Sequence, residues 1–297
     1  MNLISIQRRL AEYNCKSAHE EDQALREILQ DLVLAALGRT EFFSKAAFHG
    51  GTCLRIFHGL KRFSEDLDFA LKADEPEFTF LPYLDKVKAE LEAFGVKAEV
   101  IDRSKVDSTI KKAFLKDDSI IRILDLKFLK DIGSRQTPRK LRIKLEVDTH
   151  PPSGATYESH ALSFPFPSSV TVFDLPSAFA GKMHALLCRE YVKGRDWYDL
   201  IWYCGARVKI NHELLSSAID QIGPWAGQRI KTSDTWVQVE LKKAISRLDW
   251  QKAREDVEPF IYKTELGSLQ YFTSEYFSRL ADIMTITPPT SHGVPLD

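Results

Sequence analysis

From residue 141 to 148 apolar and polar side chains alternate without a break. Leu141, Ile143, Leu145 and Val147 fall on one side, and Arg142, Lys144, Glu146 and Asp148 on the other. A period of two is that of a strand with one buried and one polar face. A shorter run, Leu67, Phe69 and Leu71, predicts a second strand, and residues 96–101 and 120–128 are apolar enough for two more. Elsewhere the period is helical. Leu25, Ile28, Leu29, Leu32 and Ala36 recur on one face of residues 21–37, with Gly38 as the stop. Residues 2–10 and 81–94 follow the same rule, the latter with Leu84, Val87 and Leu91 in phase and Gly95 closing it. Residues 42–48 belong with these helical segments and lead into a Gly-Gly turn, after which a short helical run, 53–58, ends at Gly59. Residues 133–138 and the Pro-, Ser- and Gly-rich residues 151–167 read as loops.

Beyond residue 170 the pattern changes. Asp174 and Pro176 open a helix that runs to 188, Gly194 breaks the chain, and 195–204 forms another helix. Residues 211–286 are helical in pattern, interrupted near Gly223-Pro224 and Pro259, and the tail 287–297, with three prolines, is expected to be poorly ordered. The prediction is an α/β (α+β) domain over residues 1–170, a mixed sheet flanked by helices. A mainly α-helical domain over 171–297 follows it.

Composition narrows the class. The chain has 297 residues, 44% hydrophobic and 28% charged, the balance of a folded globular protein. A formal net charge of −1 carries no overall signal for nucleic acid. Locally, residues 111–144 hold eleven Lys or Arg against four Asp, a patch able to hold a polyanion, although a solvated face is the commoner meaning of such a run. Cys15, Cys53, Cys188 and Cys204 show no CxxC or Cys/His pairing, which argues against a zinc site or a disulfide framework and points to a reducing compartment. With no charged-then-apolar N-terminal segment and no apolar run approaching 18 residues, the expectation is a cytoplasmic protein without membrane contact.

The chemistry concentrates in residues 48–69. Gly50, Gly51 and Thr52 open the short helix, and Asp66 and Asp68 stand two apart in the apolar strand that follows. Side chains at i and i+2 of a strand share a face, so both carboxylates project together while Leu67 and Phe69 turn inward. A divalent cation is the natural counter-charge for such a pair, and Mg²⁺ prefers oxygen ligands. Glycines next to a helix N-terminus let backbone N–H groups approach a phosphate. Alone, a DxD or a Gly-Gly means little, and their conjunction is far more specific.

The string Gly50-Gly51-Thr52-Cys53-Leu54, continued by Arg62-Phe63-Ser64-Glu65-Asp66-Leu67-Asp68-Phe69, resembles the AbiEii/AbiGii toxin branch (DUF1814) of the DNA polymerase β-like nucleotidyltransferases. A second block, Lys182, Ala185 and Arg189 followed by Arg195-Asp196 and Asp199-Leu200, is similar to that family's other characteristic segment. The resemblance implies Asp66, Asp68, Lys182 and Asp196 as catalytic residues. It implies Gly50, Gly51, Thr52, Arg62, Ser64 and Lys182 as nucleotide contacts, and Arg195 and Asp199 in support, with the choice between Asp196 and Asp199 as the essential acid left open. From spacing alone, Arg195 and Asp199 are also a good i,i+4 ion pair. A third metal-binding carboxylate is expected from a neighbouring strand. Glu146 and Asp148 are the candidates, and Glu146 is preferred because Lys144-Leu145-Glu146-Val147 resembles the branch there.

The resemblance further implies transfer of an NMP from an NTP with Mg²⁺ or Mn²⁺, by the toxin of a toxin–antitoxin or phage-defence pair. Its acceptor would be the 3′ end of tRNA and its partner a cognate antitoxin. Three other readings are consistent with the residues: a small-molecule nucleotidyltransferase, a protein-modifying one, and a nucleotide-binding module without turnover. The presence of Asp66, Asp68, Lys182 and Asp196 together counts against the last.

Overall fold

The computed structural model describes residues 2–103, 108–117, 126 and 141–284. The chain divides into two compact units, Met1–Asp174 and Leu175–Asp297.

The first unit is built on a seven-stranded sheet of order β3-β4-β5-β2-β1-β7-β6. The strands are β1 (Ala46–His49), β2 (Asp66–Leu71), β3 (Glu99–Asp102), β4 (Ile110–Asp117), β5 (Leu141–Asp148), β6 (Tyr157–Leu162) and β7 (Ser168–Phe173). The sheet is mixed: β2 pairs with β5 and β1 with β7 in parallel, and the remaining pairs are antiparallel. The helices are α1 (Asn2–Glu12), α2 (Ala18–Gly38), α3 (Phe42–Lys45), α4 (Gly50–His58) and α5 (Leu81–Ala93). Ser17 caps α2 by accepting from the Glu20 N–H, and the Glu20 carboxylate reaches back to accept from the N–H of Lys16, the residue before the cap. The core joins the apolar face of α2 (Leu25, Ile28, Leu29, Leu32) to Leu84, Val87 and Leu91 of α5 and to the inward residues of β5. Phe42 lies at its centre, with the rings of Phe43, Phe69, Phe80 and Tyr83 at centroid distances of 5.0–5.6 Å.

Several elements differ from the sequence expectation. Residues 151–167, predicted as loop, contain β6. This strand sits at the sheet edge with mostly exposed, polar residues, so no alternation of apolar residues reveals it. β4 and β7 were not predicted either: the lysines of β4 read as a charge run, and in β7 only Val170 and Val172 alternate. Residues 42–48, grouped with the helices, split into one helical turn and a strand, since the buried Ala46, Ala47 and Phe48 pair with β2. The strand expected at 120–128 falls outside the described residues apart from Leu126, and the loop at 133–138, the tail 287–297 and most of the basic run 111–144 lie wholly outside them.

The second unit is helical, with α6 (Leu175–Cys188), α7 (Gly194–Gly205), α8 (His212–Gln221), α9 (Asp234–Arg247), α10 (Trp250–Val257) and α11 (Ser274–Ile283). The expected breaks are present: Gly223-Pro224 lies between α8 and α9, and Pro259 in a 3₁₀ turn. Gly194 starts α7 at a point where a Cβ would collide with the Ala253 carbonyl of α10, so close helix packing, more than chain breaking, requires glycine there. Trp197, Trp250 and Phe277 form an aromatic core with centroids 4.5–5.5 Å apart. All four cysteines are free. Among the described residues no helix is long and apolar enough to cross a membrane.

Candidate active site

Residues 46–71 fold into strand, turn, helix, loop and strand. β1 runs antiparallel to β2 with His49 opposite Asp68, and the chain turns at Gly50, where φ is +82°, into α4. A Cβ on Gly50 would stand 2.7 Å from Asp68 Oδ2, and one on Gly51 would run into the Arg62 guanidinium. The turn backbone therefore lies directly against a carboxylate, which only glycine allows. The Thr52 hydroxyl donates to the Asp66 carbonyl and is hydrogen-bonded to Ser64 Oγ at 2.9 Å. Arg62 is buried and donates from Nη1 to the Phe63 carbonyl at 2.9 Å. Thr52, Arg62 and Ser64 thus tie the turn to the loop that leads into β2.

Two side chains that sequence reasoning missed clamp this loop. Gln30, wholly buried in α2, donates from Nε2 to the carbonyls of Ser64 and Glu65, each at 3.0 Å. Arg55 pairs with Glu27, donates from Nη1 to the carbonyls of Lys61 and Arg62 at 3.1 Å, and lies 4.5 Å over the Phe63 ring. The available signal was Gln30-Asp31 interrupting an otherwise apolar run from Ile28 to Leu37. For Arg55 there was none.

Strand register sets the electrostatics. On β2, Asp66 and Asp68 are half-buried and alternate with buried Leu67 and Phe69. Asp66 lies opposite Lys144 and Asp68 opposite Glu146 on β5, while β4 places Lys112 opposite Glu146, Phe114 opposite Lys144 and Lys116 opposite Arg142. Facing residues on paired strands project to one side, so these groups share a sheet face. Glu146 takes Lys112 Nζ on Oε1 and Lys144 Nζ on Oε2, both at 2.8 Å. Burial pushes the Glu146 carboxyl up, but the two ammonium groups outweigh it and leave it below its ordinary value. Burial pulls Lys144 down, yet its hydrogen bond to Glu146 and the charges of Asp66, Glu146 and Asp68 leave it raised. Lys144 is therefore a firmly charged ammonium in the field of three carboxylates. Asp148, the other candidate third acid, lies opposite Ala70, two pairs further along, and accepts from the His150 N–H at 3.0 Å. Its pKa is raised, chiefly by burial.

In the second unit, Lys182 of α6 reaches Asp196 Oδ1 at 2.7 Å and Asp199 Oδ2 at 2.8 Å, both on α7. Arg189 Nε stands 3.4 Å from Asp196 Oδ2. Burial would raise Asp196, but Lys182, Lys193 and Arg189 together hold it well below the usual carboxylate range. Arg195, expected beside Asp199 by spacing, pairs with Asp256 at 3.6 Å and lies 4.2 Å over the Phe260 ring. The structure thus gathers Lys182, Arg189, Asp196 and Asp199 into one charge cluster, with Arg195 paired to Asp256.

The first unit thus sets a Gly-Gly turn that opens a helix against two carboxylates on one sheet face, with Glu146 of the paired strand opposite the second of them. A family model described as nucleotidyl transferase AbiEii toxin, type IV toxin–antitoxin system, matches residues 32–266, and the chain belongs to that family. It is a nucleotidyltransferase of the toxin type. Among solved structures, it is similar to MenT4, a nucleotidyltransferase toxin from Mycobacterium tuberculosis. The two are 18% identical with a TM-score of 0.58, covering 97% of this chain and 91% of that one. JHP933 from Helicobacter pylori is similar at 15% identity and a TM-score of 0.52, over 88% of this chain and 91% of that one. Comparison with curated proteins gives no match.

Proposed function

We propose that this toxin transfers a nucleoside monophosphate from an NTP to the 3′ end of tRNA, using Mg²⁺ or Mn²⁺ held by Asp66 and Asp68. The observation that carries this reading is the pair of carboxylates on one sheet face with the Gly50 turn packed against Asp68. An all-oxygen donor set suits a hard dication, and two carboxylates on one sheet face favour one. Bound there, the ion would lower the pKa of the attacking hydroxyl and offset charge on the triphosphate.

The protein's own groups account for the rest. Gly50 and Gly51 offer the first amides of α4 to phosphate oxygens, and Thr52, Arg62 and Ser64 hold that turn in place. Glu146, with both oxygens bonded to lysines, holds Lys112 and Lys144, and would join the metal site only by releasing one of them. Lys144 offsets charge that builds on the phosphoryl oxygens. Lys182 keeps the phosphate role implied by the family pattern, with Asp196 as its acid and Arg195 and Asp199 in support. In-line transfer of this kind needs positioning and charge, with no protein nucleophile.

The acceptor is argued from the same face. Lys112, Lys116 and Arg142 share it with Asp66 and Asp68, and Arg142 lies 3.8 Å over the Phe114 ring. Cations interleaved with an aromatic ring favour a polyanion with stacking bases over a small hydroxylated acceptor. Such substrates place the reaction in the cytoplasm, and a cognate antitoxin is the expected partner.

The test incubates the protein with Mg²⁺, total bacterial tRNA and each α-³²P-labelled NTP in turn, followed by a denaturing gel. One NTP is expected to label the tRNA band, and Asp66→Ala or Asp68→Asn to erase it with the circular dichroism spectrum unchanged. Label on protein or on a small molecule instead would reject tRNA as the acceptor, and undiminished labelling by Asp66→Ala would reject the aspartate site.

A further inference from the structure

Helix α4 presents the Gly-Gly turn at one end and a second set of donor atoms at the other. His58 is its last residue, while Glu158 and His160 stand two apart on the edge strand β6 and share a face of it. A ring nitrogen of His58, a ring nitrogen of His160 and a carboxylate oxygen of Glu158 all lie within 4.8 Å of one another. His160 Nε2 is 2.7 Å from Glu158 Oε1, and the two imidazoles meet edge-on at 5.0 Å. Phe57 packs against the His160 ring at 5.1 Å and gives the cluster an apolar wall. None of these three side chains has a part in the reaction proposed above.

We propose that His58, Glu158 and His160 bind one divalent transition-metal ion of the zinc class, which ties the C-terminal end of α4 to β6. Two imidazoles and one carboxylate form a three-ligand zinc set whose fourth position is filled by water. Such nitrogen donors select against Mg²⁺, whereas the all-oxygen pair of Asp66 and Asp68 selects for it, so the two sites take different ions. Tetrahedral coordination with bonds of about 2.0–2.1 Å brings donors to about 3.3–3.4 Å from one another. The widest separation here, within 4.8 Å, therefore closes by about 1.4 Å at most, and the His160–Glu158 hydrogen bond opens to admit the ion. Side-chain rotation alone covers such distances, because all three groups are at least partly exposed. The carbonyl end of α4 also favours a cation. Since α4 begins with Gly50, an ion at its far end steadies the helix whose first residues lie against Asp68.

The experiment titrates ZnCl₂ into metal-stripped full-length protein by calorimetry. Excess Mg²⁺ is present, and Asp66→Asn/Asp68→Asn silences the aspartate pair. One Zn²⁺ per chain is expected, with Kd of about 10 µM or tighter and a raised Tm. In that background His58→Ala and His160→Ala should each weaken binding at least about tenfold and remove the Tm rise, with unchanged circular dichroism. Unaltered Zn²⁺ binding in both variants, or no binding up to about 100 µM, overturns the proposal. His160→Ala, on an edge strand, carries the test alone if His58→Ala does not fold.

Discussion

At Gly50 the left-handed backbone and the carboxylate of Asp68, 2.7 Å from where a Cβ would stand, act on the same atom. Gly50→Ala should cost about 1–3 kcal/mol of stability through backbone strain. It should also cost far more than tenfold in nucleotide transfer, because the carboxylate must move. A thermal melt and the labelling assay separate the two effects. Asp31 is a quieter case. Burial, reinforced by Glu27 and opposed by Arg9 and Arg55, pushes its carboxyl up to about 7. A carboxyl whose folded pKa exceeds its unfolded one holds its proton more tightly when folded, so stability falls as pH rises from about 4 to about 7. Asp31→Asn removes that dependence. The Tm of the variant relative to the parent should therefore rise between pH 5 and pH 8, by an amount equivalent to no more than about 3 kcal/mol. A difference that stays flat across that range would show that Asp31 titrates normally.

Helices α6 and α7 are joined by charge as well as by packing. Lys182, with its side chain 11% exposed, serves two buried carboxylates, Asp196 and Asp199. Removing the ammonium leaves both acids without it in a poorly solvated place. Lys182→Met should thus lower stability by about 3–5 kcal/mol, read from urea unfolding. Lys182→Arg keeps the charge and should retain most of that stability. If Lys182 also contacts phosphate through its compact ammonium, the Arg variant should lose labelling while remaining folded. A Met variant as stable as the parent would mean that the cluster has relaxed or that its acids are protonated.

The two compact units each own a core: the α2, α5 and sheet layer in Met1–Asp174, and the Trp197, Trp250 and Phe277 group in Leu175–Asp297. A core of its own is the physical requirement for independent folding. Residues 175–297 expressed alone should therefore show a helical circular dichroism spectrum and a cooperative melt, and a non-cooperative melt would count against it. This fragment, which lacks Asp66 and Asp68, should not label RNA.

What the chain alone determined is what short-range spacing encodes. The i,i+2 placement of Asp66 and Asp68, the alternation of β5 and the periodicity of α2 each follow from the geometry of one element. Strands β4 and β6 escaped because a charged or edge strand carries little apolar alternation, and β7 because only Val170 and Val172 alternate in it. Only the tertiary structure decided that Glu146 faces Asp68 while holding Lys112 and Lys144. It alone brought Gln30 and Arg55 onto the loop before β2, and His58 beside residues a hundred positions later. These depend on strand order and register, which pair residues by distance in space rather than along the sequence.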